Sequence, residues 1–262
     1  MASDFLTRMR TEKIEPNFWC SEEYFRHAGF EERTEGDLIL VSGDGWLIFP
    51  PVPTHPGISL SEERSQHLAP IWSDFPGTTI PGRTPVRLDL EFIYDPKAFL
   101  NLSGRRWLTF RKNSRKWPRE YSRHTYRELV EADKDEVIRV FVAWLETRGM
   151  EEEVQDGDVM YRFVVDGEHR KGLFRDGELV GFNVWDENWK RLNYRFCFCI
   201  PDPWLAEFMR LSFYTDPEIL GKGKEVNDGG MLDNPQLEFF KRKLNPKRVR
   251  VVQSWLPSTE EE

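Results

Sequence analysis

The sequence predicts an α+β fold, close to α/β, in which helices pack on mixed sheets. Alternating apolar runs at residues 88–94, 172–175, 179–184 and 191–200 read as strands. Val137, Val140, Phe141, Trp144 and Leu145 form an apolar stripe at helical spacing. In the second half, strands and helices follow one another in turn, as in domains with helices on a mixed sheet. At 262 residues the chain can form one large domain or two small ones around a sizeable core. A hydrophobic share of 39% with 31% charged residues is that of an ordinary soluble protein. No apolar run approaches the roughly 20 residues of a membrane helix. The first residues, MASDFLTRMRTEK, lack the apolar core of a signal peptide, so a cytoplasmic location is expected.

In the first half, Phe18, Trp19, Tyr24 and Phe25 fall at helix-like spacing, and Gly29 ends the pattern. Residues 38–41 and 46–49 read as a hairpin around Ser42-Gly43-Asp44-Gly45, closed by Pro50, Pro51 and Pro53. Residues 54–86 are rich in Pro, Gly, Ser and Thr and read as an irregular insertion around a short helix near 61–68. His55 and His67 there are read as surface residues, because no convergent ligands accompany them. The strand carrying Leu88, Leu90, Phe92 and Tyr94 ends at Asp95-Pro96, a cap followed by a first-turn proline.

In the second half, Asp133 can cap the helix that stops at Arg148-Gly149, and the acidic residues 151–153 read as a solvated loop. VMYRFVVDG, residues 159–167, reads as a short strand. Asp176-Gly177 is a hairpin turn. Pro201 and Pro203 start a helix, residues 224–227 form a short strand entering a glycine loop, a helix ends before Pro246, and residues 248–255 form a last strand.

The net charge is -8, yet residues 104–119 contain no acid. They carry Arg105, Arg106, Arg111, Lys112, Arg115, Lys116 and Arg119, with Trp107, Phe110 and Trp117 interleaved. Arg105, Lys112, Arg115 and Arg119 are spaced to share one helical face. Two readings stand: a solvated basic face, or a site for an anionic partner with phosphate contacts and base stacking. A pI of 5.4 argues against strong nonspecific DNA binding. The three cysteines form no spaced framework. Cys197 and Cys199, two apart on a strand, face one side and read as small apolar residues; no metal site is expected.

Three stretches carry a resemblance to a known family. The first hairpin runs into Phe49-Pro50-Pro51. From Leu90, EFIYDPKAFLNLSGRRWLTFRKNSRKW holds Leu102, Gly104, Arg105, Arg106, Arg111, Lys112 and Asn113 in an L-x-G-[KR]-[KR] and [KR]-[KR]-N series. NDGGMLDNPQLEFFKRKLNP holds Asn227, Gly229, Gly230, Leu232, Phe240, Lys241 and Pro246. In this order they resemble the C-terminal domain of phosphatidylglycerol lysyltransferases and its stand-alone relatives, over most of residues 15–255.

The resemblance implies two tandem acyltransferase-type lobes of the Gcn5-related N-acetyltransferase kind. They are expected at residues 1–120, with the insertion at 54–86, and at 121–262. It implies transfer of an aminoacyl or acyl group to an amine or hydroxyl, with no tightly bound cofactor and with aminoacyl-tRNA or acyl-CoA as co-substrate. Two departures matter. The family's multispan membrane half is missing, so a lipid acceptor is not implied. No R-x-x-G-x-G pyrophosphate loop is present, Leu220-Gly221-Lys222-Gly223 being a loose echo, which favours an aminoacyl donor. Phage relatives that attach amino acids to modified pyrimidines in DNA provide one alternative, and a non-catalytic polyanion-binding protein another.

Such a transfer needs an oriented nucleophile, a route for its proton and donors for an oxyanion. In this fold the donors come from backbone N–H groups where two central strands splay, expected at Cys197, Phe198 and Cys199. Asp228, Asn227 and Tyr194 are the candidate catalytic side chains; Tyr194 and Tyr214 are the weaker options and read more readily as core or rim residues. Asp228 reads equally as a turn former. Arg105, Arg106, Arg111, Lys112, Asn113, Lys241 and Lys243 are the candidate groups for a donor, a tRNA end or DNA. Lys241, Arg242 and Lys243 could equally complement a helix dipole.

Overall fold

The computed structural model describes residues 3–150, 154, 158–230 and 233–258; Leu232 and the acidic residues 151–153 lie outside these. The elements run α1 (Asp4–Thr11), α2 (Glu22–Ala28), β1 (Glu31–Glu35), β2 (Leu38–Gly43), β3 (Trp46–Leu47), β4 (Val52–Pro53), α3 (Glu62–Gln66) and β5 (Arg83–Tyr94). Next come α4 (Leu108–Ser114), α5 (Trp117–Glu120), β6 (His124–Glu128), α6 (Lys134–Glu146), α7 (Val159–Asp166), β7 (His169–Arg175), β8 (Glu178–Glu187) and β9 (Arg191–Cys199). The chain ends with α8 (Leu205–Tyr214), α9 (Pro217–Gly221), β10 (Glu225–Asn227), α10 (Pro235–Lys243) and β11 (Arg248–Pro257). This is the α+β architecture the sequence predicts, with mixed sheets flanked by helices.

The chain forms two compact units. One holds Met1–Glu91, Gly230–Asn234 and Val249–Glu262; the other holds Phe92–Gly229 and Pro235–Arg248. The division expected at residue 120 falls inside the second unit. Residues 92–120 pack on α8 there: Phe99 stacks on Tyr214 at 4.0 Å, Trp117 stacks on Phe208 at 5.1 Å, and Asn113 donates to Glu207 Oε1 at 3.0 Å.

In the first unit, Ser3, Ser21 and Ser61 cap α1, α2 and α3 by accepting backbone N–H groups, which explains where each helix starts. β2 pairs antiparallel with β1, β3 and β4. Its buried residues Leu38 and Leu40 join Leu47, Ile71, Ile80 and Trp255 in one core cluster. The supposedly irregular 54–86 stretch is more ordered than its composition suggests. Arg83 is buried and donates to the carbonyls of Ser65, Leu68 and Ala69, so it satisfies the end of α3 and the turn after it.

In the second unit, β6, β7, β8 and β9 pair antiparallel in order, β10 adds parallel to β9, and Ile93 and Tyr94 of β5 pair antiparallel with β10. α6 and α7 cover one face: Phe141 and Trp144 meet Phe198, and Phe163 meets Phe196. α8 covers the other, with Phe213 against Tyr194 and Trp185. VMYRFVVDG, expected as a strand, is the helix α7. Its apolar run is too short to separate the two periods, and burial of the adjacent Phe163 and Val164, with Phe163 against Phe196 of β9 and Tyr161 against Phe141 of α6, decides for helix.

One irregularity positions the candidate site. Val184 pairs with Phe196 but Trp185 pairs with Tyr194, so Arg195 is an extra residue in β9. The bulge resets the alternation. Phe196 and Phe198 turn to the α6–α7 face, while Cys197 and Cys199 join Tyr194 on the α8 face, packed with Trp117, Leu205 and Met209.

Candidate active site

The parallel pairing of β9 and β10 covers only Arg191, Leu192 and Asn193. β10 stops at Asn227, while β9 continues to Cys199. Past Asn193, no strand among the described residues pairs with the β10-facing edge of β9, which opens as a wedge. The N–H of Ile200 bonds the carbonyl of Val180 on β8. Strand alternation therefore turns the N–H groups of Cys197 and Cys199 away from β8, toward the open edge. Phe198 has the phase of Ile200 and directs its N–H to β8. Of the three expected residues, Cys197 and Cys199 turn their N–H groups to the open edge and Phe198 does not.

Asp228 sits where β10 ends and the chain turns into Gly229, buried at 4% exposure. Its carboxylate is bonded by Arg210 Nη1 from α8 and by the Tyr214 hydroxyl at 3.2 Å. Lys241 Nζ from α10 lies 3.2 Å from Asp228 Oδ1 and donates to the Asp228 carbonyl. The Tyr94 hydroxyl donates to the Lys241 carbonyl at 2.7 Å. The Arg210 guanidinium lies over the rings of Tyr194 at 5.0 Å and Phe240 at 5.1 Å. Burial works against the charge of Arg210, but Asp228 and the surrounding phenols outweigh it and hold it well above the ordinary value. Burial first, then the Asp228 charge, pushes the phenols of Tyr94 and Tyr214 well above their ordinary range. They remain protonated and serve as donors.

Tyr194 and Asn227 lie beside this cluster in different roles. Tyr194 donates to Asn183 Oδ1 at 2.5 Å, and burial keeps its phenol protonated. In this structure Tyr194 is a core hydroxyl, the role the sequence reading places above catalysis. Asn227 accepts the Gly229 N–H at 3.0 Å and so shapes the turn that presents Asp228.

The structure divides the expected anion-binding set. Arg105, Arg106 and Lys112 are exposed. Arg111 donates to the Leu102 carbonyl, and Asn113 to Glu207, so both hold local structure. Lys243 is exposed at the end of α10, 4.1 Å above the Phe239 ring, whereas Lys241 is 5% exposed and committed to Asp228. Trp107, Phe110 and Trp117 are buried, which corrects their reading as base-stacking platforms. Residues 107, 110, 114 and 117 form the inward stripe; residues 105, 108, 112 and 115 form the outward one.

Sequence reading missed Arg210. The signal was present: Arg210 lies three and four residues before Phe213 and Tyr214, on the stripe that buries Leu205 and Met209. A charge in that position needs a buried partner. Asp186, Asn193 and Arg195 were missed too. Asp186 accepts from Asn193 Nδ2 at 2.7 Å and from Arg195 Nη2 at 2.7 Å, a buried polar group at the base of the wedge.

The same architecture occurs in solved structures. L-PGS (lysylphosphatidylglycerol synthetase) from Bacillus licheniformis superposes with a TM-score of 0.64 at 14% identity, over 89% of this chain and 87% of that one. The chain shares the fold of lysylphosphatidylglycerol synthetase. A conserved protein of unknown function from Bacteroides thetaiotaomicron superposes with a TM-score of 0.71 at 14% identity, over 95% of this chain and 96% of that one. The C-terminal domain (DUF2156) of a protein assigned as a lysylphosphatidylglycerol synthetase from Agrobacterium fabrum gives 0.63 at 15% identity, over 98% and 93%. No family profile and no curated protein sequence matches the chain. The likeness is one of fold. No helix among the described residues is long and apolar enough to cross a membrane.

Proposed function

We propose that the protein is an aminoacyltransferase that moves an activated amino acid from an ester-linked donor to an amine or hydroxyl acceptor. The observation that carries this reading is the wedge between β9 and β10, where the N–H groups of Cys197 and Cys199 face an open edge in the same unit as the Asp228–Arg210–Lys241 cluster. Backbone donors aimed at a fixed point stabilise the oxyanion of an acyl-transfer intermediate. A rigid buried cation pair with one carboxylate supplies a preorganised field at low reorganisation cost.

The donor is an aminoacyl ester such as aminoacyl-tRNA, rather than an acyl-CoA. The segment between β9 and α8 contains Pro201 and Pro203, which have no N–H to offer a pyrophosphate, and Asp202, which pairs with Arg175 at 2.8 Å. Lys222 and Lys224, flanking Gly223, are taken up by Glu187 at 3.2 and 3.1 Å. The exposed cations Arg105, Arg106 and Lys112 would contact the phosphates of such a donor.

Incubation with a pool of aminoacyl-tRNAs carrying labelled amino acids, and separately with labelled acetyl-CoA, tests the reading. Loss of label from tRNA above the spontaneous rate, with the label recovered on a non-tRNA acceptor, is the expected result. Consumption of acetyl-CoA alone would replace the donor class. No turnover of either pool, across lysate-derived acceptors, would sink the transferase reading.

A further inference from the structure

The proposed transfer leaves two polar atoms unused at the closed end of the wedge. Asn193 of β9 and Asn227 of β10 are the last residues that the two strands pair, and they stand opposite each other. Both are buried, at 0% and 1% exposure. Tyr194 packs on Phe213 of α8, so Asn193 beside it turns to the other face of the sheet, and its parallel partner Asn227 turns the same way. One bond fixes each amide. Asn193 Nδ2 donates to Asp186 Oδ1 at 2.7 Å, and Asn227 Oδ1 accepts the Gly229 N–H at 3.0 Å. Turning either amide over would set oxygen against carboxylate, or NH2 against N–H. The two remaining atoms, Asn193 Oδ1 and Asn227 Nδ2, have no hydrogen-bond partner among the described residues. Buried polar groups are seldom left unbonded, so an acceptor and a donor at facing ladder positions point to a polar partner.

We propose that Asn193 and Asn227 bind the side-chain end of the transferred amino acid, and that this end is an uncharged group that both donates and accepts, a carboxamide or a phenol. The inference rests on the aminoacyl-transfer reading and names its substrate class. Charge is selected against in two ways. Arg195 Nη2 lies 2.7 Å from Asp186 Oδ2 and offsets that carboxylate, so the closed end carries no net charge to attract an ion. An ammonium has no lone pair for Asn227 Nδ2, and a carboxylate has no proton for Asn193 Oδ1. Either ion leaves one amide atom buried and unbonded. Length selects further. Between Asn193 and Cys197 the strand runs about 13 Å, less what the bulge takes up. With the ester carbonyl held at Cys197, the hydroxyls of serine and threonine fall short of the closed end, whereas a glutamine carboxamide or a tyrosine phenol extends toward it.

The test measures binding of amino acid amides, which keep the side chain and lack the reactive ester, to the full chain by calorimetry. Glutaminamide or tyrosinamide should bind at least about tenfold more tightly than its match without the polar group, norvalinamide or phenylalaninamide. Lysinamide and glutamic acid α-amide should bind no better than norvalinamide. A preference for either charged amide, or indifference to the polar group, overturns the inference and leaves the transfer reading in place. Binding of no amide also overturns it; loss of label from aminoacyl-tRNA, measured independently, then decides whether the transfer reading falls too. Asn227→Asp keeps an oxygen for the Gly229 N–H and replaces the donor Nδ2 by an acceptor. It should weaken the preferred amide at least about tenfold and strengthen lysinamide. An unchanged order of affinities would overturn the proposal. The comparison of amides on the unmodified protein stands even where Asn227→Asp fails to fold.

Discussion

Arg210 and Asp228 are 18 residues apart in the chain, yet their ion pair fixes the end of β10 to the middle of α8. Lys241 approaches the same carboxylate from α10. Removing one partner from a buried charged group leaves the others without compensation. Asp228→Asn keeps the shape and removes the charge that Arg210 and Lys241 share. It should lower the unfolding free energy by about 3 kcal/mol. Asp176→Asn, in the exposed hairpin turn, should stay within about 0.5 kcal/mol of wild type. Denaturant titration of the two variants decides. Equal effects would mean that Asp228 is only a turn former.

Asp74 gives the stability curve an unusual slope. Its carboxyl is raised from 3.8 to about 6, chiefly by burial, with the Gln253 N–H at 2.9 Å lowering it and the nearby Glu91 charge raising it. A raised carboxyl binds its proton more tightly in the folded state. Its contribution is therefore greatest below pH 3.8 and is lost as pH rises through about 6. Asp74→Asn can still accept the Gln253 N–H, and should raise stability at pH 8 and flatten the profile between pH 4 and 6. Thermal unfolding across that range checks the sign; a variant less stable than wild type at pH 8 would reverse it.

Gly230 shows why the glycine pair after Asp228 is not interchangeable with other small residues. A Cβ there would lie 1.6 Å from Asp89 Oδ2 and 2.3 Å from its Cγ. Asp89 is 5% exposed and cannot swing into solvent without unpacking. Gly230→Ala should cost about 3 kcal/mol or more, as an overpacked core does. Combining it with Asp89→Ala should recover part of the loss, and a double-mutant cycle would read the coupling directly. Strict additivity would mean that the two residues do not meet.

Much of this architecture was legible in the sequence where the chain reports on itself. The Asp176-Gly177 hairpin, α6, α8 and α10 follow from turn chemistry and period. β1, whose residues Glu31, Glu32, Arg33, Thr34 and Glu35 are all exposed, carries no alternation and exists because β2 supplies a partner. The bulge at Arg195 was equally hidden, because a register shift is a property of two strands. The site splits along the same line. Asp228 stood out beside two glycines, but its role depends on Arg210 and Lys241, which only the tertiary fold brings to it. The basic run was visible as charge. Its buried aromatics were also readable, since Trp107, Phe110 and Trp117 follow the opposite stripe from Arg105, Lys112 and Arg115.

That division of stripes makes the anion-binding proposal separable from stability. Arg105, Arg106 and Lys112 are exposed, so replacing all three with alanine should leave the melting temperature nearly unchanged. Arg111 is different: Arg111→Ala removes its bond to the Leu102 carbonyl and should cost about 1 kcal/mol. If the three exposed residues contact phosphates, the triple variant should bind tRNA more weakly. Its log-affinity against log-salt slope should be shallower by about 2 to 3. Fluorescence anisotropy at several salt concentrations measures both quantities. With the aromatics buried, the loss should be insensitive to base composition, because no ring of this segment is available to stack. A base-dependent loss, or an unchanged slope with a normal melting curve, would move the contact away from residues 104–119.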